Sequence, residues 1–149
     1  YRERTGLLMA LTSSDERAAI LSGQLGRLAR TIWSMPPDHG AAIVDRVLSQ
    51  PDLRRSWTEE LAAMAARING LRGLLAEALT ARTRGTDFSW ITRQRGMFSR
   101  LDLTPAMVDT LRERHHVYCA PDGRINIAGV SAGNVQHVAA SVAAVMGYA

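Results

Sequence analysis

Leu53, Trp57, Leu61, Met64, Ile68, Leu71, Leu75 and Leu79 recur at intervals of three and four, one apolar stripe kept over some thirty positions. Only a helix holds such a stripe on one side. It would start at Pro51 and Asp52 and run to about Arg84, before Gly85, and its stripe of some thirty residues, about 45 Å, is enough to pass from one domain to another. Asn69, Gly70 and Gly73 lie inside it, each unfavourable in a helix interior by up to about 1 kcal/mol relative to alanine, so a bend is expected there.

The residues before this rod also read as helical. Ser13 and Glu16 form a capping box, and a helix from about Ser14 to Trp33 places Leu21, Leu25, Leu28 and Ile32 on one face, expected to pack inward. Pro36 and Pro37 stop it, because proline has no amide proton and biases its predecessor away from helical angles. A shorter helix over Asp38 to Ser49 follows.

After Gly85 the period becomes strand-like. Phe88 to Thr92 and Gly96 to Ser99 read as strands, Thr104 caps a helix with Pro105 at its first position, and that helix ends near His115 and His116. Val117 to Ala120 and Arg124 to Ala128 flank Pro121, Asp122 and Gly123, the pattern of a hairpin with a three-residue turn. Asn134 to Met146 closes the chain as a helix with Val135, Val138, Val142 and Val145 inward. The second half is a compact α+β unit.

Composition narrows the chemistry. All 18 basic residues among the 149 are arginine, so no side-chain amine can act as a Schiff-base nucleophile or tunable base. No apolar run reaches the roughly 20 residues a bilayer requires, so no membrane partner is expected. The single cysteine, Cys119, cannot form an internal disulfide, which makes a cytoplasmic location the default. The net charge of +4 is spread among alternating acids, as in Arg54, Arg55, Glu59 and Glu60, and aromatic residues are only 5%. That pattern suits a solvated surface rather than a nucleic-acid face.

Two site patterns fail on their own terms. Gly129 to Gly133 spell GxSxG around Ser131, yet no Asp or Glu follows and His137 comes only six residues later, so a glycine-rich loop before a helix is preferred to a hydrolase nucleophile. His39, His115, His116 and His137 lack ligand spacing, so no metal site is expected. Arginines beside glycines or helix ends are better candidates, since a guanidinium fork grips a carboxylate or phosphate with two parallel donors. Arg4, Arg30 and Arg124 are so placed, against competing roles as ordinary surface ion pairs with neighbours such as Glu3 and Asp122.

Four phrases in order, YRERTG at Tyr1 to Gly6, RTIWSMPPDHGA at Arg30 to Ala41, RQRGMFS at Arg93 to Ser99 and GRINIAG at Gly123 to Gly129, give the chain a family likeness. Together they resemble the C-terminal part of the class I aminotransferases that depend on pyridoxal 5'-phosphate, in the aspartate and aromatic (tyrosine) branch. The resemblance implies that the family's Schiff-base lysine lies just upstream of Tyr1, and hence that this chain is a piece of a longer protein, inactive alone. It implies that Arg4 binds the cofactor phosphate, that Arg124 holds the substrate α-carboxylate, and that Arg30 reaches a neighbouring subunit's site in a homodimer to pair with a distal carboxylate. Trp33 and Ser34 would line the pocket and Phe98 would edge it, with core packing the competing role for both aromatics. Met35 stands where the family usually has asparagine, which removes a polar group from the dimer-facing loop.

The implied architecture is α+β derived from an α/β parent: residues 1–50 as the tail of the large cofactor domain, 51–84 as the connecting helix, 85–149 as the small domain. The implied reaction moves an amino group between aspartate or an aromatic amino acid and a 2-oxo acid. The alternative from another class is a non-catalytic binding or assembly module. A partial chain is also expected to expose apolar surface where the rest would pack.

Overall fold

The computed structural model describes residues 3–84 and 86–148. Along the chain come α1 (Asp15–Trp33), α2 (His39–Ser49), α3 (Pro51–Arg82), α4 (Trp90–Arg93), β1 (Phe98–Arg100), α5 (Pro105–His115), β2 (Arg124–Asn126), a single 3-10 turn (Ile127–Gly129) and α6 (Val135–Val145). The result is mostly helical with one two-stranded antiparallel sheet, an α+β arrangement. The chain divides into two compact units, Tyr1–Glu59 and Glu60–Ala149.

In the first unit the cap of α1 falls one residue later than the sequence pattern suggests. Ser14, not Ser13, is the N-cap, and its hydroxyl accepts from the Arg17 amide at 3.3 Å. The later start puts Asp15 and Glu16 in the first turn, where their charges face the positive end of the helix dipole. Leu21 and Leu25 are half-buried, but Leu28 and Ile32 are exposed and no residue of α1 is buried. The expected inward stripe is therefore covered only in part, and its Leu28 and Ile32 end is open. Trp57 and Leu53 on the first turns of α3 are exposed as well.

The helix α3 runs unbroken through Asn69, Gly70 and Gly73. Its stripe becomes buried from Leu71 onward, with Leu75 and Leu79 at 0% exposure. These two pack in one core with Ile91, Leu101, Leu111, Ile127, Ala139 and Val142, so the α3 C-terminal half, α5, α6 and the sheet share an interior. Thr104 caps α5 by accepting from the Met107 amide, with Pro105 first in the helix, as expected.

Two expected strands are not strands. Phe88 to Thr92 folds as a loop and the short helix α4: Phe88 and Ile91, three apart, both turn into the core, and the Ile91 amide donates to the Phe88 carbonyl at 3.0 Å. Val117 to Ala120 is spent leaving α5, where His116 is left-handed at φ 55° and the Val117 amide returns to the Leu111 carbonyl. The Pro121–Gly123 turn does close, with Ala120 N–H donating to Arg124 O at 2.9 Å. The ladder partner of β2 is nonetheless the distant β1, in register Phe98↔Asn126, Ser99↔Ile125 and Arg100↔Arg124. The second strand stops at Asn126 because its side-chain oxygen accepts from the Ala128 amide and curls Ile127–Gly129 into the 3-10 turn.

Candidate functional site

Alternation along β2 sends Ile125 into the core and leaves Arg124 and Asn126 outward. On β1 the same pleat buries Ser99 and leaves Phe98 and Arg100 outward. Pairing then sets Arg124 diagonally from Phe98, and its guanidinium carbon lies 5.2 Å from the Phe98 ring centroid. A cation stacked on a ring keeps its N–H edge free for an anion. The competing ion pair with Asp122 is not formed: that carboxylate accepts from the Arg124 backbone amide at 3.1 Å, and no carboxylate among the described residues is within ion-pair distance of Arg124.

Around this stack lies a depression of about 340 Å³ lined by Gln94, Arg95, Phe98, Ser99, Arg100 and Arg124. Three guanidinium groups line it and no acid does, so the surface suits an anion. Arg100 is steadied by donating from Nε to the Asp122 carbonyl at 3.0 Å.

Beneath it sits a residue that the sequence patterns passed over. Arg72 of α3 is 1% exposed; its Nη1 donates to Ser99 Oγ at 2.6 Å and to the Ile91 carbonyl at 3.2 Å. Its Nη2 donates to the carbonyls of Gly96 at 2.8 Å and Phe98 at 3.0 Å. Burial first, and the like charge of Arg95 second, lower its pKa from the usual guanidinium value, yet arginine stays charged at neutral pH. The available signal was spacing: position 72 lies four after Ile68 and three before Leu75, on the apolar stripe itself.

In the first unit, Arg30 occupies the last turn of α1, where its carbonyl accepts from the Ser34 amide at 3.2 Å. Trp33 ends the helix and is 54% exposed, and Ser34 caps it at φ 62°. All three therefore share one helix end. Arg4 is exposed and left-handed at φ 51°. Its neighbour Glu3 pairs with His39 Nδ1 at 2.9 Å, and a Cβ on Gly40 would run into the Thr5 side chain. Two of the four phrases thus meet: the stretch carrying Arg4 lies directly against the first turn of α2.

Ser131 is a turn residue. Its hydroxyl accepts from the Asn134 amide while Asn134 Oδ1 accepts from the Ser131 amide, and His137 Nε2 donates to the His115 carbonyl at 2.8 Å. Neither partner of a hydrolytic triad reaches the serine. No group of three His, Cys, Asp or Glu residues comes together among the described residues, and no helix there is long and apolar enough to cross a membrane. Burial first and the Asp122 charge second raise the Cys119 pKa. Because the thiolate is the reactive form, Cys119 is expected to react with a disulfide reagent at pH 8 more slowly than free cysteine, and to match it once the protein is unfolded in urea. Equal rates in the native protein would contradict this placement.

Residues 1–142 match the family described as aminotransferase class I and II. Among curated relatives, a tyrosine aminotransferase of Rhizobium meliloti is 49% identical over 93% of this chain and 35% of its own length. A mitochondrial aspartate aminotransferase of Arabidopsis thaliana is 40% identical over 95% of this chain and 33% of its own. Among solved structures, an aromatic amino acid aminotransferase with 3-indolebutyric acid superposes with a TM-score of 0.89 at 39% identity, covering 97% of this chain and 37% of that one. An aromatic-amino-acid aminotransferase from Burkholderia pseudomallei, covalently bound to pyridoxal phosphate, gives 0.79 at 47% identity, covering 91% and 34%. The chain spans about a third of the length of the relatives it matches.

Proposed function

This chain belongs to the class I and II aminotransferases, and from that premise we propose that it is the C-terminal third of an enzyme moving an amino group between aspartate or an aromatic amino acid and a 2-oxo acid. The observation that carries the proposal is the Arg124 fork stacked on Phe98, with no acid among the described residues to neutralise it. The family match along nearly the whole chain favours transfer over a non-catalytic assembly module.

The roles follow from chemistry. A substrate carboxylate accepts two parallel N–H donors from Arg124, and the Phe98 face limits the angle at which it can do so. Orientation is then fixed at one end, leaving the Cα–H bond turned toward a base outside this chain. We assign Arg30, at the exposed end of α1 with Trp33 and Ser34 beside it, to the distal group of a substrate held in a partner subunit of a homodimer. The open apolar faces of α1 and α3 support such packing. Residues 1–50, 51–84 and 85–149 would then be the end of a large domain, a connector and a small domain. The single cysteine supports a cytoplasmic setting.

For pyridoxal 5'-phosphate the fit is partial. Arg4 offers a fork to the phosphate, on a segment fixed by the close approach of Thr5 to Gly40. No lysine is present among the 149 residues to hold the other end of the cofactor. When bound, the cofactor supplies an electron sink that lets the Cα proton leave and carries the amino group between partners.

Three measurements test this. In the full-length protein, 15N from aspartate, tyrosine or phenylalanine should appear in glutamate when 2-oxoglutarate is the acceptor; a folded, cofactor-loaded protein that leaves glutamate unlabelled contradicts the proposal. The 149-residue chain alone should transfer nothing and yield no lysyl adduct after borohydride. Gly40→Ala should push Thr5 and the Arg4 segment away and raise the cofactor dissociation constant about tenfold, a loss of about 1.4 kcal/mol. An unchanged titration curve would separate Arg4 from the phosphate.

A further inference from the structure

The Arg124–Phe98 stack is built on a strand only three residues long, and β1 has a single ladder partner. Short two-stranded pairs are weakly stable on their own, so something else must hold the backbone that carries Phe98. The buried guanidinium of Arg72 meets that need. It is one planar group whose donors reach both ends of the segment between α4 and β1: Ile91 before it, Gly96 within it, Phe98 and Ser99 at its end.

We propose that Arg72 is a positioning residue for substrate binding, acting through the backbone of Gly96–Ser99 to seat Phe98 under Arg124. The proposal rests on Arg124 being the carboxylate fork of a transaminase. Three features argue for positioning rather than general stabilisation. The acceptors Gly96, Phe98 and Ser99 lie within four residues of one another, and Ile91 is in the short helix just before them. Among the described residues no carboxylate neutralises Arg72, so its charge is met by carbonyl dipoles and one hydroxyl, and a shift of the segment would strip several of them together. Finally, Ser99 takes the shortest of these bonds and pairs with Ile125, the neighbour of Arg124, so the same clamp bears on both strands. Lysine could keep the charge but not the fork, since its three donors diverge from one nitrogen.

The test uses the full-length, cofactor-loaded protein with Arg72→Lys, Ser99→Ala and, as a matched loss of a buried hydroxyl elsewhere, Ser141→Ala, whose hydroxyl donates to the His137 carbonyl. Two readouts are taken. One is steady-state kinetics; the other is the proton shift of the Arg124 Nε–H in 15N-arginine-labelled protein, assigned by its disappearance in Arg124→Lys. In the wild type the Phe98 ring is expected to displace that resonance upfield.

Arg72→Lys is expected to raise KM for the amino acid about tenfold with kcat within about twofold, the pattern of lost uniform binding, and to abolish the ring displacement. Ser99→Ala should do the same more weakly, about threefold in KM, and Ser141→Ala should leave both readouts unchanged at a similar melting temperature. Arg72→Lys that lowers the melting temperature while KM and the Arg124 resonance stay put would overturn the proposal. Should Arg72→Lys not fold, Ser99→Ala decides by the same two readouts. A wild type that transfers no amino group refutes the transaminase reading, and the Arg124 resonance alone then decides the role of Arg72.

Discussion

Arg124→Leu in the full-length protein is expected to lower kcat/KM for every amino acid substrate by a factor of about a thousand, close to 4 kcal/mol of lost transition-state binding. The magnitude follows from what would be left behind: a carboxylate removed from water with neither of its two charge-assisted donors. Arg124→Lys keeps the charge and loses the fork, so it should recover only part of the loss. Arg100 supplies the control. It faces Arg124 across the strand pair and lines the same depression, but its Nε is already committed to the Asp122 carbonyl. Arg100→Leu is therefore expected to change kcat/KM by no more than about fivefold. Equal losses at the two positions, measured by steady-state kinetics, would mean a diffuse positive field rather than a fork.

Gly123→Ala should be the most damaging single-methyl change in the second unit. Gly123 sits at φ +78°, where a side chain is strained, and a Cβ would also fall against the Leu101 carbonyl oxygen, a backbone atom with little room to retreat. The cost is expected to be about 3 kcal/mol, read as a lower urea midpoint at unchanged m-value. Gly96 separates the two causes. It has nearly the same angle, φ +80°, but nothing within 4 Å of the missing Cβ, so Gly96→Ala should cost only about 1 kcal/mol. Equal costs would show that the Leu101 contact relaxes freely. Because the Leu101 amide donates to the Gly123 carbonyl at 3.0 Å, Gly123→Ala should also disturb the strand register that places Arg124.

What could be foreseen from the residue order, and what could not, divides along physical lines. Local signals held where the competing force was also local. Thr104 with Pro105 opened α5 as expected, and the spacing of four from Leu71 through Leu75 to Leu79 became a buried helix face. Arg124 to Asn126 formed a strand as expected, with Ile125 buried and Arg124 outward. Long-range pairing was not legible. Val117 to Ala120 has strand propensity and a turn beside it, but the residues leaving α5 are taken by its C-cap, and β2 pairs with a strand more than twenty residues earlier. Phe88 to Thr92 misled because an apolar pair three apart fits a helical turn as well as a short strand. The stripe of α1 was found but not its exposure, since burial depends on partners that helical periodicity does not name. Arg72 was hidden for the opposite reason: a charge on an apolar face looks like an interruption until its acceptors, nineteen or more residues away, are folded against it.

Of the candidate residues, Arg124 and Phe98 form one contact, while Arg30, Trp33 and Ser34 share a helix end and Arg4 lies on the segment against α2. The central claim is that the first of these groupings is a carboxylate seat. The direct measurement is an experimental structure of the full-length protein with a bound 2-oxo acid. The account predicts one ligand carboxylate accepting two N–H bonds from Arg124, each about 2.8 Å, with the Phe98 ring beneath the guanidinium. A ligand carboxylate held by other residues, with Arg124 turned to solvent, would contradict it.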